Sequence, residues 1–212
     1  MTRLAIPLFP GFMPLDAIGP YDVLRFLPGA ETVFVAAEAG PVRGSGGLTL
    51  HADAAIDDIE SCDILLVPGG GGTRDYEGLK PLIAWLSRMH ESTAWTTSVC
   101  TGSLLLGKAG ILDGLDATTH WAAVAELEAF GARYTPERVV RRAKVITSAG
   151  VSSGIDMALE LVELVAGAEY AKSVQLWIEY DPQPPHDTGS VAKAGPELTK
   201  RTLELMRSGR RG

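Results

Sequence analysis

The residues best suited to chemistry lie in Thr97-Ser98-Val99-Cys100-Thr101-Gly102-Ser103, where an apolar run ends in a cysteine and small residues follow. Small neighbours are what a tight strand-to-helix turn needs, because the backbone must fold back sharply there. A thiol at a helix N-terminus faces unpaired N–H groups and the positive end of the helix dipole, so the pattern predicts a lowered pKa for Cys100 and a nucleophilic thiolate. The same N–H groups can hold a developing anion. The competing reading is a buried structural cysteine, common for this residue type. Cys62 precedes Asp63 and an apolar run and is assigned to core packing.

Pro68-Gly69-Gly70-Gly71-Gly72 follows a second strand-like run. It lacks the Lys-Ser/Thr ending of a phosphate-binding loop and any dinucleotide fingerprint. It fits a turn that brings the backbone N–H groups of Gly70 and Gly71 beside Cys100, or a plain connection. Asp16 sits between apolar residues just before a helix. Two readings stay open for it: an N-cap, or a desolvated carboxyl that holds and passes a proton. His120 follows strand-like Ala117-Thr118-Thr119, which could bring it to the same edge; a structural histidine is the alternative. The four histidines and two cysteines show no metal-ligand spacing.

These side chains need elements to carry them. Apolar runs at Leu4–Phe9, Thr32–Ala37, Asp63–Val67, Ala94–Val99 and Lys144–Ser148 read as strands, with a minor strand at Leu48–His51 after a turn-rich Gly40–Gly47. Helical spacing covers Leu15–Leu27, Leu82–His90, Leu104–Ala109, about Ile155–Val165 and about Pro196–Met206. Asp181–Gly195 reads as a long loop rich in Pro and Gly. Strands that alternate with helices and are apolar throughout predict an α/β fold: a doubly wound, mostly parallel sheet covered on both faces, in one domain spanning residues 1–212. Ligands bind such sheets at the carboxyl ends of the strands, where Cys100, the Pro68–Gly72 loop and the Pro10-Gly11 loop all fall.

With 212 residues, 46% hydrophobic and a net charge of -7, the chain can bury a proper core and lacks a nucleic-acid footprint. The basic residues Arg207, Arg210 and Arg211 read as a solvated terminus. No run is long enough to span a bilayer, Pro10-Gly11 comes too soon for a signal peptide, and two cysteines do not make a disulfide scaffold. A cytoplasmic protein is expected.

Taken together, these segments resemble the ThiJ/PfpI superfamily, whose flavodoxin-like fold is similar to that of class I glutamine amidotransferases. The Cys100-Thr101-Gly102-Ser103 turn and His120-Trp121 carry the wider resemblance. Leu15-Asp16-Ala17-Ile18-Gly19-Pro20 and Glu179-Tyr180-Asp181-Pro182-Gln183-Pro184-Pro185 narrow it to a branch whose members add water to isonitriles. The resemblance implies Cys100 as nucleophile, Thr101 as a residue that hydrogen-bonds at the site, and Asp16 in place of the Glu kept beside the thiolate elsewhere. It places Asp181 as a second acid near the pocket; the Gly70-Gly71 turn and His120 are expected toward substrate from their own place at that edge. No cofactor or metal, a small-molecule substrate, a homodimer and no membrane partner are expected. Related sensors append a helix-turn-helix module; with the sequence ending at Gly212, none is expected here. Hydration of an α-oxoaldehyde by the same thiolate, and a redox or small-molecule sensor using Cys100, are the rival functions.

Overall fold

The structure, a computed structural model, describes residues 1–209. In chain order the strands are β1 (Thr2–Pro7), β2 (Ala30–Ala36), β3 (Gly40–Arg43), β4 (Thr49–Ala52), β5 (Ala54–Ala55), β6 (Ile64–Val67), β7 (Trp95–Val99), β8 (Asp116–Ala117), β9 (Arg133–Tyr134), β10 (Val139–Arg142) and β11 (Val145–Ser148). The helices are α1 (Pro14–Leu24), α2 (Lys80–Ser92), α3 (Gly102–Lys108), α4 (Val124–Glu128), α5 (Ser153–Ala166), α6 (Ala168–Trp177) and α7 (Val191–Gly209). The chain falls into two compact units, Met1–Ile178 and a second beginning at Glu179.

The first unit is built on a seven-stranded sheet of order β10-β11-β7-β6-β1-β2-β5. Every pairing in it is parallel except that of β10 with β11 at one edge. The central strands are buried along their length, Ile64–Val67 and Val145–Ser148 without a break. That is why they read as continuous apolar or small runs rather than alternating ones. Around the sheet, α1 packs on α5 and α2 on α3. Pro14, at the start of α1, suits the first helical turn because its missing N–H has no partner there anyway. The core is continuous from Leu4 and Ile6 through Leu65, Trp85 and Leu104 to Leu161. Among the described residues no helix is long and apolar enough to cross a membrane.

The parallel order puts the carboxyl ends of β1, β6, β7 and β11 on one edge, and backbone hydrogen bonds tie the loops that leave them. Met13 N–H donates to the Gly69 carbonyl at 2.7 Å and Gly72 N–H to Gly11 at 3.3 Å. Gly11 N–H donates to Arg43 at 2.9 Å and Ser45 N–H to Phe12 at 2.7 Å. Cys100 N–H lies between the Ser148 and Ala149 carbonyls, at 3.0 and 2.8 Å.

Several elements differ from the sequence reading: β5, β9, β10 and α4 were not assigned, and α7 begins at Val191, inside the stretch expected as a loop. Gly40–Gly47 is not all turn: Gly40–Arg43 pairs antiparallel with Thr49–Ala52, because Val42 finds a buried place and only Gly44–Leu48 is needed to reverse the chain. Helix α6 was not anticipated. Its apolar face is short, Ala171 and Val174, and it begins directly at Gly167, whose positive φ of 88° ends α5. In the second unit, α7 is broken at Gly195 (φ 74°), and Pro196 restarts it where the final helix was expected. Arg207 is exposed near its end; Arg210 and Arg211 lie outside the described residues.

The glycine run is explained by close approach of backbones. A Cβ on Gly69 would lie 2.6 Å from the Thr101 nitrogen and 2.9 Å from Asp16 Oδ2, whereas one on Gly71 would meet nothing within 4 Å. In the turn after Cys100, a Cβ on Gly102 would run into the Val67 carbonyl. Gly102→Ala should therefore cost about 1–3 kcal/mol through overpacking, seen as a lower melting temperature, while Gly71→Ala should melt with the wild type.

Candidate active site

The turn after β7 leaves Cys100 at φ 57°, one of three described non-glycine residues with positive φ. Such a conformation costs on the order of 1 kcal/mol and persists only where the surroundings impose it. Here β7 must end, turn and enter α3 within two residues, and the Cys100 N–H is held by β11 as described. The thiol is almost fully buried. It is faced by the backbone N–H groups of Thr101 and Val151, the Thr101 hydroxyl and the Asp16 carboxyl.

Asp16 is wholly buried in the first turn of α1. The N-cap reading fails: Met13 occupies the cap position, and the Asp16 carboxyl reaches across 53 residues to accept the Gly69 N–H at Oδ2, 2.9 Å away. Oδ1 has no protein donor within hydrogen-bonding distance. Burial raises the Asp16 pKa to about 7 against the smaller opposing effects of the Gly69 N–H and the Cys100 thiol.

Cys100 contradicts the sequence expectation in direction. Burial pushes its pKa up to about 12, the Asp16 charge adds to that, and the Thr101 and Val151 N–H groups only partly compensate. The sequence places a cysteine at a helix N-terminus but does not show how deeply the turn is sunk beneath its neighbours. The two acids form a coupled pair. Below about pH 7 both keep their protons; above it they share one, which resides on sulfur or on carboxyl. A thiolate at neutral pH therefore exists as the partner of a protonated Asp16.

Thr101 joins this pair to the glycine loop. Its Oγ1 accepts the Gly70 N–H at 2.9 Å, and its own proton faces both the Gly70 carbonyl, at 3.1 Å, and the thiol. The Gly70 N–H is thus committed to Thr101 rather than presented to a substrate, a correction to the role expected for it. Gly71 is exposed at the next position. His120 caps the short turn Trp121–Ala123, with Nδ1 accepting the Ala122 N–H at 3.2 Å, so its proton is assigned to Nε2. Its ring lies against Gly150, where a Cβ would be 2.7 Å from Cδ2, and so stands at the site edge beside the β11 loop. Asp181 belongs to the second unit, where it is exposed and accepts a hydrogen bond from Gln183. The donors missed in the sequence, Gly69 N–H and Val151 N–H, are backbone groups that leave no side-chain signature. Among the described residues no cluster of His, Cys, Asp and Glu could hold a metal.

A buried thiol and a raised carboxyl in contact can deliver a nucleophile and a proton to one atom from neighbouring positions. The chain belongs to the DJ-1/PfpI family, which it matches over residues 2–164. It is 41% identical over 188 residues to the isonitrile hydratase of Pseudomonas putida, covering 89% of this chain and 82% of that one. It is 30% identical over 191 residues to the Parkinson disease protein 7 homolog of Danio rerio, covering 82% of this chain and 94% of that one. A ThiJ/PfpI family protein from Pseudomonas syringae has the same fold, with a TM-score of 0.93 at 35% identity over 98% of this chain and 86% of that one.

The Asp16 carboxyl gives a signed pH dependence of stability. An acid whose folded pKa exceeds its unfolded value binds its proton more tightly when folded, so its contribution is fully present below the unfolded pKa of 3.8 and is lost as pH rises to about 7. That shift corresponds to a cost on the order of 4 kcal/mol by about pH 8. Asp16→Asn should match the wild type near pH 4 and melt higher than it near pH 8, checked by melting curves across that range.

Proposed function

We propose that this protein is a cysteine-dependent isonitrile hydratase, converting R–N≡C and water into an N-substituted formamide. The observation that carries the proposal is the contact between the Cys100 thiol and an Asp16 carboxyl whose pKa is raised to about 7, in a chain 41% identical to an isonitrile hydratase. The reaction needs a nucleophile and a proton at the same terminal carbon, and the pair supplies both.

Asp16 gives its proton to the terminal carbon as the Cys100 thiolate attacks it. A C–H and a C–S bond form, leaving a thioimidate, R–N=CH–S–Cys, and an Asp16 carboxylate. Asp16 next takes a proton from water as the hydroxide adds to that carbon, and passes the proton to the substrate nitrogen. The carboxylate then removes the hydroxyl proton, the C–S bond breaks, and the formamide leaves with the thiolate and protonated Asp16 restored. The N–H groups of Thr101 and Val151 stabilise sulfur whenever it carries charge. No step requires a cofactor.

Hydration of an α-oxoaldehyde would use the same thiolate but has no need for a proton at the attacked carbon. The sensor reading finds less support. Cys62 precedes the amino end of β6 while Cys100 follows the carboxyl end of its neighbour β7, so the two thiols stand at opposite edges of the sheet. We place the activity in the cytoplasm and in a homodimer. The dimer rests on large apolar side chains left exposed, Leu15, Leu176 and Trp177 among them.

Turnover of an alkyl isonitrile, compared with methylglyoxal, tests the reading directly. The wild type should release formamide, and Cys100→Ser and Cys100→Ala should lose several orders of magnitude of that rate while keeping their circular dichroism. Near-wild-type rates in either variant would remove the mechanism. Sedimentation at micromolar concentration should give twice the 22.5 kDa chain mass; a monomer rejects the dimer.

A further inference from the structure

The peptide that follows the nucleophile is gripped on its far side. The Cys100 carbonyl accepts two hydroxyl hydrogen bonds, from Ser103 Oγ at 3.1 Å and from Thr119 Oγ1 at 3.1 Å. Both hydroxyls are fully buried. The Ser103 bond is local, within the first turn of α3, and hydroxyls in such turns often bond back to a nearby carbonyl. The Thr119 bond is different: it spans 19 residues and comes from the segment that follows β8.

That carbonyl belongs to the same peptide unit as the Thr101 N–H, one of the two backbone donors that face the thiol. The unit is planar and trans, so its C=O and N–H point in opposite directions. Fixing the carbonyl toward Ser103 and Thr119 fixes the N–H toward sulfur. The grip is needed because Cys100 sits at φ 57°, where a residue with a Cβ gains by rotating the adjoining peptide away. Hydroxyl donors on the carbonyl also polarise the unit and strengthen its N–H as a donor.

We propose that Ser103 and Thr119 are positioning residues: by holding the Cys100 carbonyl they keep the Thr101 N–H aimed at Sγ and so govern how readily the sulfur reacts. This rests on Cys100 being the nucleophile, but not on the identity of the substrate. Neither side chain needs to touch substrate for the effect to operate.

The test is the pH dependence of Cys100 alkylation by iodoacetamide, followed by mass spectrometry of the Cys100 peptide, beside the kinetics with an alkyl isonitrile. Thr119→Val should slow alkylation at neutral pH roughly tenfold, as loss of one aimed donor moves the profile about one unit to higher pH. It should lower kcat by a similar factor with KM unchanged. Thr119→Ser, which keeps the hydroxyl, should restore both, and Ser103→Ala should shift the profile in the same direction. A wild-type alkylation profile in folded Thr119→Val overturns the proposal. So does a failure of Thr119→Ser to restore it, which would point to lost packing of the methyl group. If Thr119→Val does not fold, Ser103→Ala and Thr119→Ser decide: an unshifted profile in Ser103→Ala overturns the proposal, and a shifted one beside normal Thr119→Ser supports it. Shifted profiles in a protein whose wild type turns over no isonitrile would uphold the positioning role and reject the substrate instead.

Discussion

Two acids occupy a volume that is dry enough to hold one negative charge. Burial raises Asp16 and Cys100 together, and near neutrality they keep one proton between them. The surrounding architecture follows from holding that pair in place. The left-handed turn lifts Cys100 from β7 toward α1, and the first turn of α1 lowers Asp16 onto it. Gly69 lacks a side chain because Thr101 and Asp16 already fill the space a Cβ would take. Backbone N–H groups, from Gly69 to the carboxyl and from Thr101 and Val151 to the sulfur, solvate whichever acid carries the charge without themselves titrating. A lysine or histidine there would favour the fully ionised pair and leave no proton to deliver.

Stability and chemistry pull against each other at this point. A buried carboxylate with an unpartnered Oδ1 is a cost that better packing or an amide would reduce. Three buried hydroxyls, of Ser98, Thr118 and Ser153, share the lack of a partner. A neutral hydroxyl costs less to leave unpaired than a charge, and around them Leu4, Ile6, Leu65, Leu66 and Leu104 are buried and apolar. The protein offsets the unfavourable electrostatics of the site with an otherwise conventional sheet.

How much of this could be read from the sequence depends on which physics is local. Strand runs such as Ile64–Val67 and the turn at Cys100-Thr101-Gly102 are legible because burial and tight turns restrict residue type directly. Asp16 was visible as a carboxyl among apolar neighbours, but its job was not: a cap and a proton carrier look alike until the Gly69 N–H is seen 53 positions away. The direction of the Cys100 pKa was missed for the same reason. Helix N-terminal geometry is written in adjacent residues, whereas desolvation depends on elements far along the chain. Helix α6 was missed because its two buried positions are too few to mark a period, and β3 because its one buried residue, Val42, lies among glycines and a proline.

The loops around the site are joined mostly by main chain: Met13 to Gly69, Gly72 to Gly11, Gly11 to Arg43 and Ser45 to Phe12. Main-chain hydrogen bonds do not depend on side-chain identity. Walls built this way can exchange an exposed side chain, such as that of Leu15 beside Asp16, without moving the acid pair. The scaffold therefore separates the inheritance of its reactive centre from the evolution of what that centre admits. Lineages carrying the same turn and sheet can drift toward different small molecules by surface substitution alone, with the folding of the centre left untouched.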